Sequence, residues 1–213
     1  MFHINIEPPD CVILSHPRSG THFLLSCLSS HSRVHGRGEC FLQWARCNMS
    51  VGNWIYQNRP ERLNIAIVMY STVRIFESLC GPLTHVPLIH LKRDPFAVAL
   101  SNAQLQADTK HFGPHSLRHR RISDPVIIHP PISRKCVRRL KLRISTQQTL
   151  YTRLLCEHNN MFDLTYEEMT NQKQASGLPD DLGMRLMKFL CLPYEPLRTT
   201  LAKTAPERYE FID

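Results

Sequence analysis

The chain lacks the features that mark several large protein classes. No apolar run approaches the roughly 20 residues a helix needs to cross a bilayer, and no basic stretch leads into an apolar segment of the secretory kind near the N-terminus. These absences predict a soluble, cytoplasmic protein with no integral membrane segment. No two cysteines form a C-x-x-C pair, and the eight present have no framework spacing; several lie in apolar runs, which predicts reduced, buried thiols. The G-x-x-x-x-G-K-[ST] loop is missing, and with it the lysine that metal-assisted ATP or GTP hydrolysis uses. Zinc-finger and RNA-recognition motifs are also missing. The basic stretch from Arg118 to Arg143 is not interleaved with aromatics, so nucleic acid is not an expected partner.

What is present fits an ordinary globular protein. At 213 residues, with 42% hydrophobic and 21% charged residues, the chain can bury the core of one domain spanning 1–213 but not two comfortable ones. The net charge of +8 is uneven, with nine Lys or Arg residues and one acid, Asp124, between Arg118 and Arg143. Such a run is either a solvated basic helix face or a field that draws in an anionic cofactor or an acidic acceptor.

Short, strongly apolar segments at 12–15, 65–70, 88–91 and 161–165 read as strands of a sheet covered on both faces. Helical patterns lie between them, giving an alternating order and an α/β fold: a P-loop-like domain with a central parallel sheet and helices on both faces. One helix follows the first strand, with Leu24, Leu25 and Leu28 as its stripe, and another starts at Asp94-Pro95, where Asp94 can cap and Pro95 suits the first turn. A long helix is expected from 133 to about 158 with Val137, Leu140, Ile144, Leu150, Leu154 and Leu155 buried, and a further one over 182–190. Glycines and prolines at 113, 114, 125, 130 and 131 predict an irregular excursion over 108–131.

The most informative segment runs from Cys11 to Leu25, where a strand enters the loop His16-Pro17-Arg18-Ser19-Gly20-Thr21 and then a helix. The N–H groups of a helix's first turn lack intrahelical partners and lie at the positive end of its dipole, so this is a phosphate cradle. Gly20 permits close backbone approach, Arg18 offers forked charged donors, and the Ser19 and Thr21 hydroxyls fill remaining lone pairs. Cys11 stands too far from Arg18, and inside the strand, for a cysteine phosphatase loop. A second strand, 88–91, ends in Lys92-Arg93-Asp94-Pro95, with Ser101 about two helical turns after Arg93. A third ends in Thr165-Tyr166-Glu167.

Pro17-Arg18-Ser19-Gly20-Thr21-His22 resembles the 5′-phosphosulfate loop of sulfotransferases that use 3′-phosphoadenosine 5′-phosphosulfate (PAPS). The carbohydrate and nodulation-factor branch is the most similar, since arginine often stands there where cytosolic steroid and phenol enzymes have lysine. Arg93 and Ser101 are similar to that family's 3′-phosphate site in order and separation, and Tyr166 to a tyrosine near the adenine. The tail from Leu197 to Lys203 also looks like its C-terminal segment, which gives Lys203 a cofactor contact. The resemblance implies PAPS as donor, held by Arg18, Ser19, Gly20, Thr21, His22, Arg93, Ser101, Tyr166 and Lys203, and a carbohydrate or lipid-linked acceptor. It implies no metal.

Sulfuryl transfer needs anion clamps, in-line positioning and a base for the acceptor hydroxyl. Arg18 and His22 would contact the phosphosulfate, and Glu39 is the expected base because Val34-His35-Gly36-Arg37-Gly38-Glu39-Cys40-Phe41 resembles the glutamate-bearing segment of carbohydrate sulfotransferases. Its glycines predict an open loop. His16, His22, His31 and His35 are rival bases, as histidine is able near neutral pH. His111, His115 and His119 are spaced by four, but Gly113 and Pro114 break the helix that would align them on a metal. Two other functions keep the cradle: a nucleotide or small-molecule kinase, and a non-catalytic nucleotide-binding protein.

Overall fold

The computed structural model describes residues 7–41, 59–113, 129–170, 176–201 and 209–212. Its strands are β1 Cys11–Ser15, β2 Val34–Gly38, β3 Leu63–Met69, β4 Leu88–Lys92, β5 Ile132–Ser133, β6 Met161–Thr165 and β7 Phe211–Ile212. The helices are α1 Thr21–Leu28, α2 Val73–Cys80, α3 Pro95–Phe112, α4 Arg134–Leu154, α5 Tyr166–Met169 and α6 Asp180–Phe189. Five strands form one sheet in the order β2-β3-β1-β4-β6, every neighbouring pair parallel. A parallel sheet puts all its carboxyl ends at one edge, so the segments after Ser15, Met69, Lys92 and Thr165 open together there.

Alternating side chains of the strands serve two cores. Cys11, Ile13, Ile65, Ile67 and Ile89 face Leu24 and Leu28 of α1 and Leu182 and Leu186 of α6. Val12, Leu14, Ala66, Val68 and Leu88 face Val73 and Phe76 of α2, with Tyr151 and Leu155 at the end of α4. A third cluster joins α3 to α4 through Val98, Ala99, Ala103, Val137 and Ile144. The expected α/β architecture with helices on both faces is therefore the observed one.

Several local expectations change. The 34–38 segment is an edge strand rather than an open loop. A Cβ on Gly36 would come within 2.9 Å of Leu25 Cγ on α1, and Gly38 has φ +65° at a register shift. These glycines permit close helix packing and a bulge. The expected 65–70 strand ends at Met69, and Tyr70 opens a 3₁₀ turn. Asp94 caps α3, its carboxylate accepting from Ala97 N at 2.8 Å, but α3 runs past the expected break at Asp108. Nothing between 108 and 112 stops a helix; Gly113, at φ +84°, does. Most of the expected excursion, 114–128, lies outside the described residues.

On α4, Val137 and Ile144 are buried as expected, whereas Leu150 and Leu154 are 51% and 63% exposed. Side chains turn about 100° per residue, which carries both leucines off the stripe of Val137, Ile144 and Tyr151. Among the described cysteines all seven are free thiols, and Cys156 and Cys191 are exposed rather than buried. Burial pushes the Cys11 and Cys27 thiols up to about 12, so they behave as core atoms rather than nucleophiles.

Candidate functional site

The cradle forms where β1 meets α1. Arg18 and Gly20 both adopt left-handed backbone, at φ +70° and +94°. Among the described residues only Arg18 and Cys191 hold a positive φ without being glycine, a cost of order 1 kcal/mol or more that the surrounding contacts must offset. Gly20 is the N-cap of α1, with no side chain capping the helix, so the first-turn N–H groups have no capping partner. A Cβ at position 20 would collide with the Tyr166 ring, 2.7 Å from Cε2, because Tyr166 leans onto the loop from the end of β6. Ser19 and Thr21 are buried beneath it. Ser15 Oγ donates to the Leu91 carbonyl at 2.7 Å, fixing the end of β1 against β4.

Two guanidinium groups converge on this loop. Arg93, leaving β4, donates from Nη1 to the Arg18 carbonyl at 2.9 Å and stacks 4.1 Å above the centre of the Tyr166 ring. Arg18 donates from Nε to Ser101 Oγ on α3 at 3.1 Å. That leaves the Ser101 hydroxyl proton available to a further acceptor. Among the described residues neither arginine forms an ion pair, and Arg93 Nε is buried with no hydrogen-bond partner. Burial, then the Arg93 charge, pulls the Arg18 guanidinium below its ordinary range. Partly buried like charges beside an unsatisfied donor are costly unless an anion joins them.

Beside this cluster, His22 on α1 and Glu39, just past β2, pair at 2.8 Å between Nε2 and Oε1. Both are partly open to solvent, with side-chain exposures of 35% and 21%. The carboxylate can only accept, so the imidazole N–H donates. Of the residues singled out in the sequence, the structure brings Arg18, Ser19, Gly20, Thr21, His22, Glu39, Arg93, Ser101 and Tyr166 to one edge of the sheet. Lys203, like His115 and His119, lies outside the described residues. Among the described residues no cluster of His, Cys, Asp or Glu is arranged to hold a metal. His31 is committed elsewhere, with Nε2 2.9 Å from the Pro193 carbonyl.

One site neighbour escaped the sequence. Tyr209 is half-buried against the α3–α4 core and close enough to Arg93 and Arg18 for both charges to act on its phenol, opposing the rise that burial causes. It is carried there by the parallel pairing of β5 with β7 and by Ile132 N donating to the Glu210 carbonyl at 2.9 Å. The alternation over 209–212 hints at a strand, but nothing local names a partner nearly eighty residues earlier.

A polar network, buried at Tyr70 and His90, braces the same edge from the far side. Tyr70 O–H donates to His90 Nε2 at 2.7 Å, and His90 Nδ1–H donates to Asp163 Oδ1 at 3.1 Å. Lys92 completes it, 3.0 Å from the same oxygen. Tyr151 of α4 stacks on Tyr70 with ring centres 4.3 Å apart and donates to its carbonyl at 2.8 Å. His16, another rival base, has one ring nitrogen on the Pro17 carbonyl and the other 3.1 Å from the Gln147 side-chain amide. Burial pulls both His90 and His16 below the ordinary imidazole value. Each is therefore kept neutral in the fold and charges more readily once unfolded. The stability they contribute is complete above about pH 6.5, the unfolded value, and is lost as pH falls through the folded values. Urea midpoints measured from pH 7.5 to 5 should fall, and the fall should flatten in a His16→Gln/His90→Gln variant. An unchanged slope would show that other groups govern it.

No protein-family model matches the sequence, and no curated protein matches it. Solved structures do match the fold. The sulfotransferase domain from the curacin biosynthetic pathway is 15% identical with a TM-score of 0.56, over 89% of this chain and 76% of that one. Mouse sulfotransferase SULT7A1, complexed with PAP, is 15% identical with a TM-score of 0.51, over 90% of this chain and 62% of that chain's length. A sulfotransferase from Alicyclobacillus acidocaldarius is 12% identical with a TM-score of 0.53, over 95% and 88%. The chain thus shares the P-loop-like fold of sulfotransferases.

Proposed function

We propose that residues 1–213 act as one sulfotransferase domain that moves a sulfuryl group from PAPS to a hydroxyl of a carbohydrate or glycolipid acceptor. The observation that carries this reading is the convergence of Arg18, Arg93 and Ser101 at the cradle, with no carboxylate paired to either arginine among the described residues and Arg93 Nε buried without a partner. A 3′,5′-bisphosphorylated nucleotide supplies the missing acceptors. PAPS bound there would provide the activated sulfuryl group and leave as adenosine 3′,5′-bisphosphate. The fold, shared with a sulfotransferase that is complexed with PAP, supports the same reading.

Each residue then has a task set by its place. The first-turn N–H groups of α1 and the Arg18 fork hold the 5′-phosphate end, and Arg18 meets the negative charge that grows on the departing phosphate oxygen. Arg93 and the Ser101 hydroxyl hold the 3′-phosphate, and Tyr166 offers a ring face to the adenine. Glu39 accepts the acceptor's hydroxyl proton as its oxygen bonds to sulfur, and the His22 N–H orients the carboxylate. Sulfuryl transfer resembles phosphoryl transfer in needing mostly positioning and charge stabilisation.

Titration calorimetry with adenosine 3′,5′-bisphosphate tests the donor assignment, with micromolar or tighter binding expected and no binding sinking it. Radiolabelled sulfate transfer from PAPS to a panel of glycans, glycolipids and phenols then tests the reaction and the acceptor. Binding without any transfer would leave the non-catalytic alternative. Metal-dependent ATP turnover would favour the kinase, although the only cation in the 16–21 loop is Arg18 where a kinase loop carries lysine.

A further inference from the structure

Helix α4 carries seven Lys or Arg residues and no Asp or Glu over its whole length. Its inner stripe, Val137 and Ile144, packs on α3, while Gln147 and Tyr151 reach His16 and Tyr70 at the carboxyl edge of the sheet. At about 100° per residue, the side turned away from that stripe collects Lys135, Arg138, Arg139, Leu142, Leu150 and Arg153, all exposed. Leu142 and Leu150 are 71% and 51% exposed, and Leu154 on the flank is 63% exposed. Single exposed leucines are ordinary, but three on the outer side and flank of one basic helix make a mixed apolar and cationic face. Along α4 itself their neighbours are all cationic or neutral. The exposed Phe96 lies beyond the same helix, with Lys141 Nζ 5.7 Å from its ring centre.

We propose that this face of α4 docks on an anionic lipid surface, with the leucines entering the headgroup boundary and the cations pairing with lipid phosphates and carboxylates. Charge complementarity selects an anionic partner, and the interleaved leucines select a bilayer over a soluble polyanion, which offers nothing apolar to bury. The face is one side of a single long helix, which suits a plane better than a peptide. No helix among the described residues is long and apolar enough to cross a membrane, so the contact is peripheral. Because α4 lies along the edge that bears the cradle, docking would set the site beside the surface. The inference does not depend on sulfuryl transfer, since the helix face is present whatever the site binds.

Flotation of the full chain with phosphatidylcholine vesicles, with and without 30% phosphatidylserine, tests it. Binding is expected only to the anionic vesicles. Arg138→Gln/Arg139→Gln should lower the partition coefficient on the order of 30-fold, since each surface cation contributes about 1 kcal/mol, roughly fivefold. Leu142→Ser/Leu150→Ser should lower the binding that survives 0.5 M salt, with the fold unchanged by circular dichroism and adenosine 3′,5′-bisphosphate affinity unchanged. Absence of binding to anionic vesicles would overturn the proposal. So would binding that high salt abolishes entirely and that the leucine pair does not affect, because that is the behaviour of a simple polycation. Loss of nucleotide binding in the wild-type chain would bear on the proposed function and leave the lipid result standing.

Discussion

Arg93→Ala is expected to raise the Kd for adenosine 3′,5′-bisphosphate by roughly 10²- to 10⁴-fold, since two charged hydrogen bonds at about 1.5–3 kcal/mol each are removed. The structural reason is that Arg93 does three things at once. It leaves β4 at the carboxyl edge, donates to the Arg18 carbonyl at 2.9 Å, and stacks 4.1 Å over Tyr166. Its Nε is buried with no partner among the described residues, so the group is held ready for an acceptor that the protein does not supply. Arg93→Lys keeps the charge but neither the fork nor the flat stacking face, and should fall between wild type and alanine. Adenosine 5′-phosphate gives the decisive comparison. Wild type should prefer the 3′-phosphorylated nucleotide, and Arg93→Ala should lose most of that preference. Ser101→Ala, which removes one hydroxyl from α3, should lose about five- to tenfold and serves if the arginine variant proves unstable. If the preference survives in both variants, Arg93 and Ser101 do not hold a 3′-phosphate.

What could be read from the sequence was whatever is local. β1, β3 and β4 are buried at successive positions because both faces of the sheet are covered, and Asp94-Pro95 announces α3 through its own cap and first turn. The cradle is legible for the same reason, since strand, Arg18, Gly20 and helix are contiguous. Edges were harder. In β2 only Val34 and Arg37 are buried, and its glycines serve the passage of Leu25 and a bulge, so the segment has the composition of a loop. Tyr209 and the Arg18–Ser101 contact depend on chain separations that no local pattern encodes. Leu150 and Leu154 read as core from the sequence because they are leucines at nearly helical spacing. Which side of a long helix faces inward is decided by its partner, and α3 selects Val137 and Ile144.

Glu39→Gln should reduce kcat by roughly 10²- to 10⁴-fold while leaving the Kd for adenosine 3′,5′-bisphosphate within about threefold, as expected when only a general base is lost. Glutamine is the informative replacement. Its amide oxygen still accepts from His22 at the position where Glu39 Oε1 lies 2.8 Å from Nε2, so orientation is kept and only basicity is removed. The pair leaves two microscopic arrangements to separate. In one, Glu39 takes the acceptor proton and His22 positions it; in the other, Glu39 orients His22, which takes the proton. His22→Gln decides between them. If His22 only positions the carboxylate, its loss should cost about tenfold in kcat and stay well short of the Glu39→Gln effect, because the base itself remains. If His22 is the base, the order reverses, and Glu39→Gln, which preserves the hydrogen bond, becomes the milder change. Single-turnover transfer to an acceptor identified from the panel reads the chemical step directly, free of product release. A Glu39→Gln chain that transfers at the wild-type rate would remove Glu39 from the reaction. The carboxylate would then be a tether between α1 and the end of β2, its effect confined to the stability of that edge.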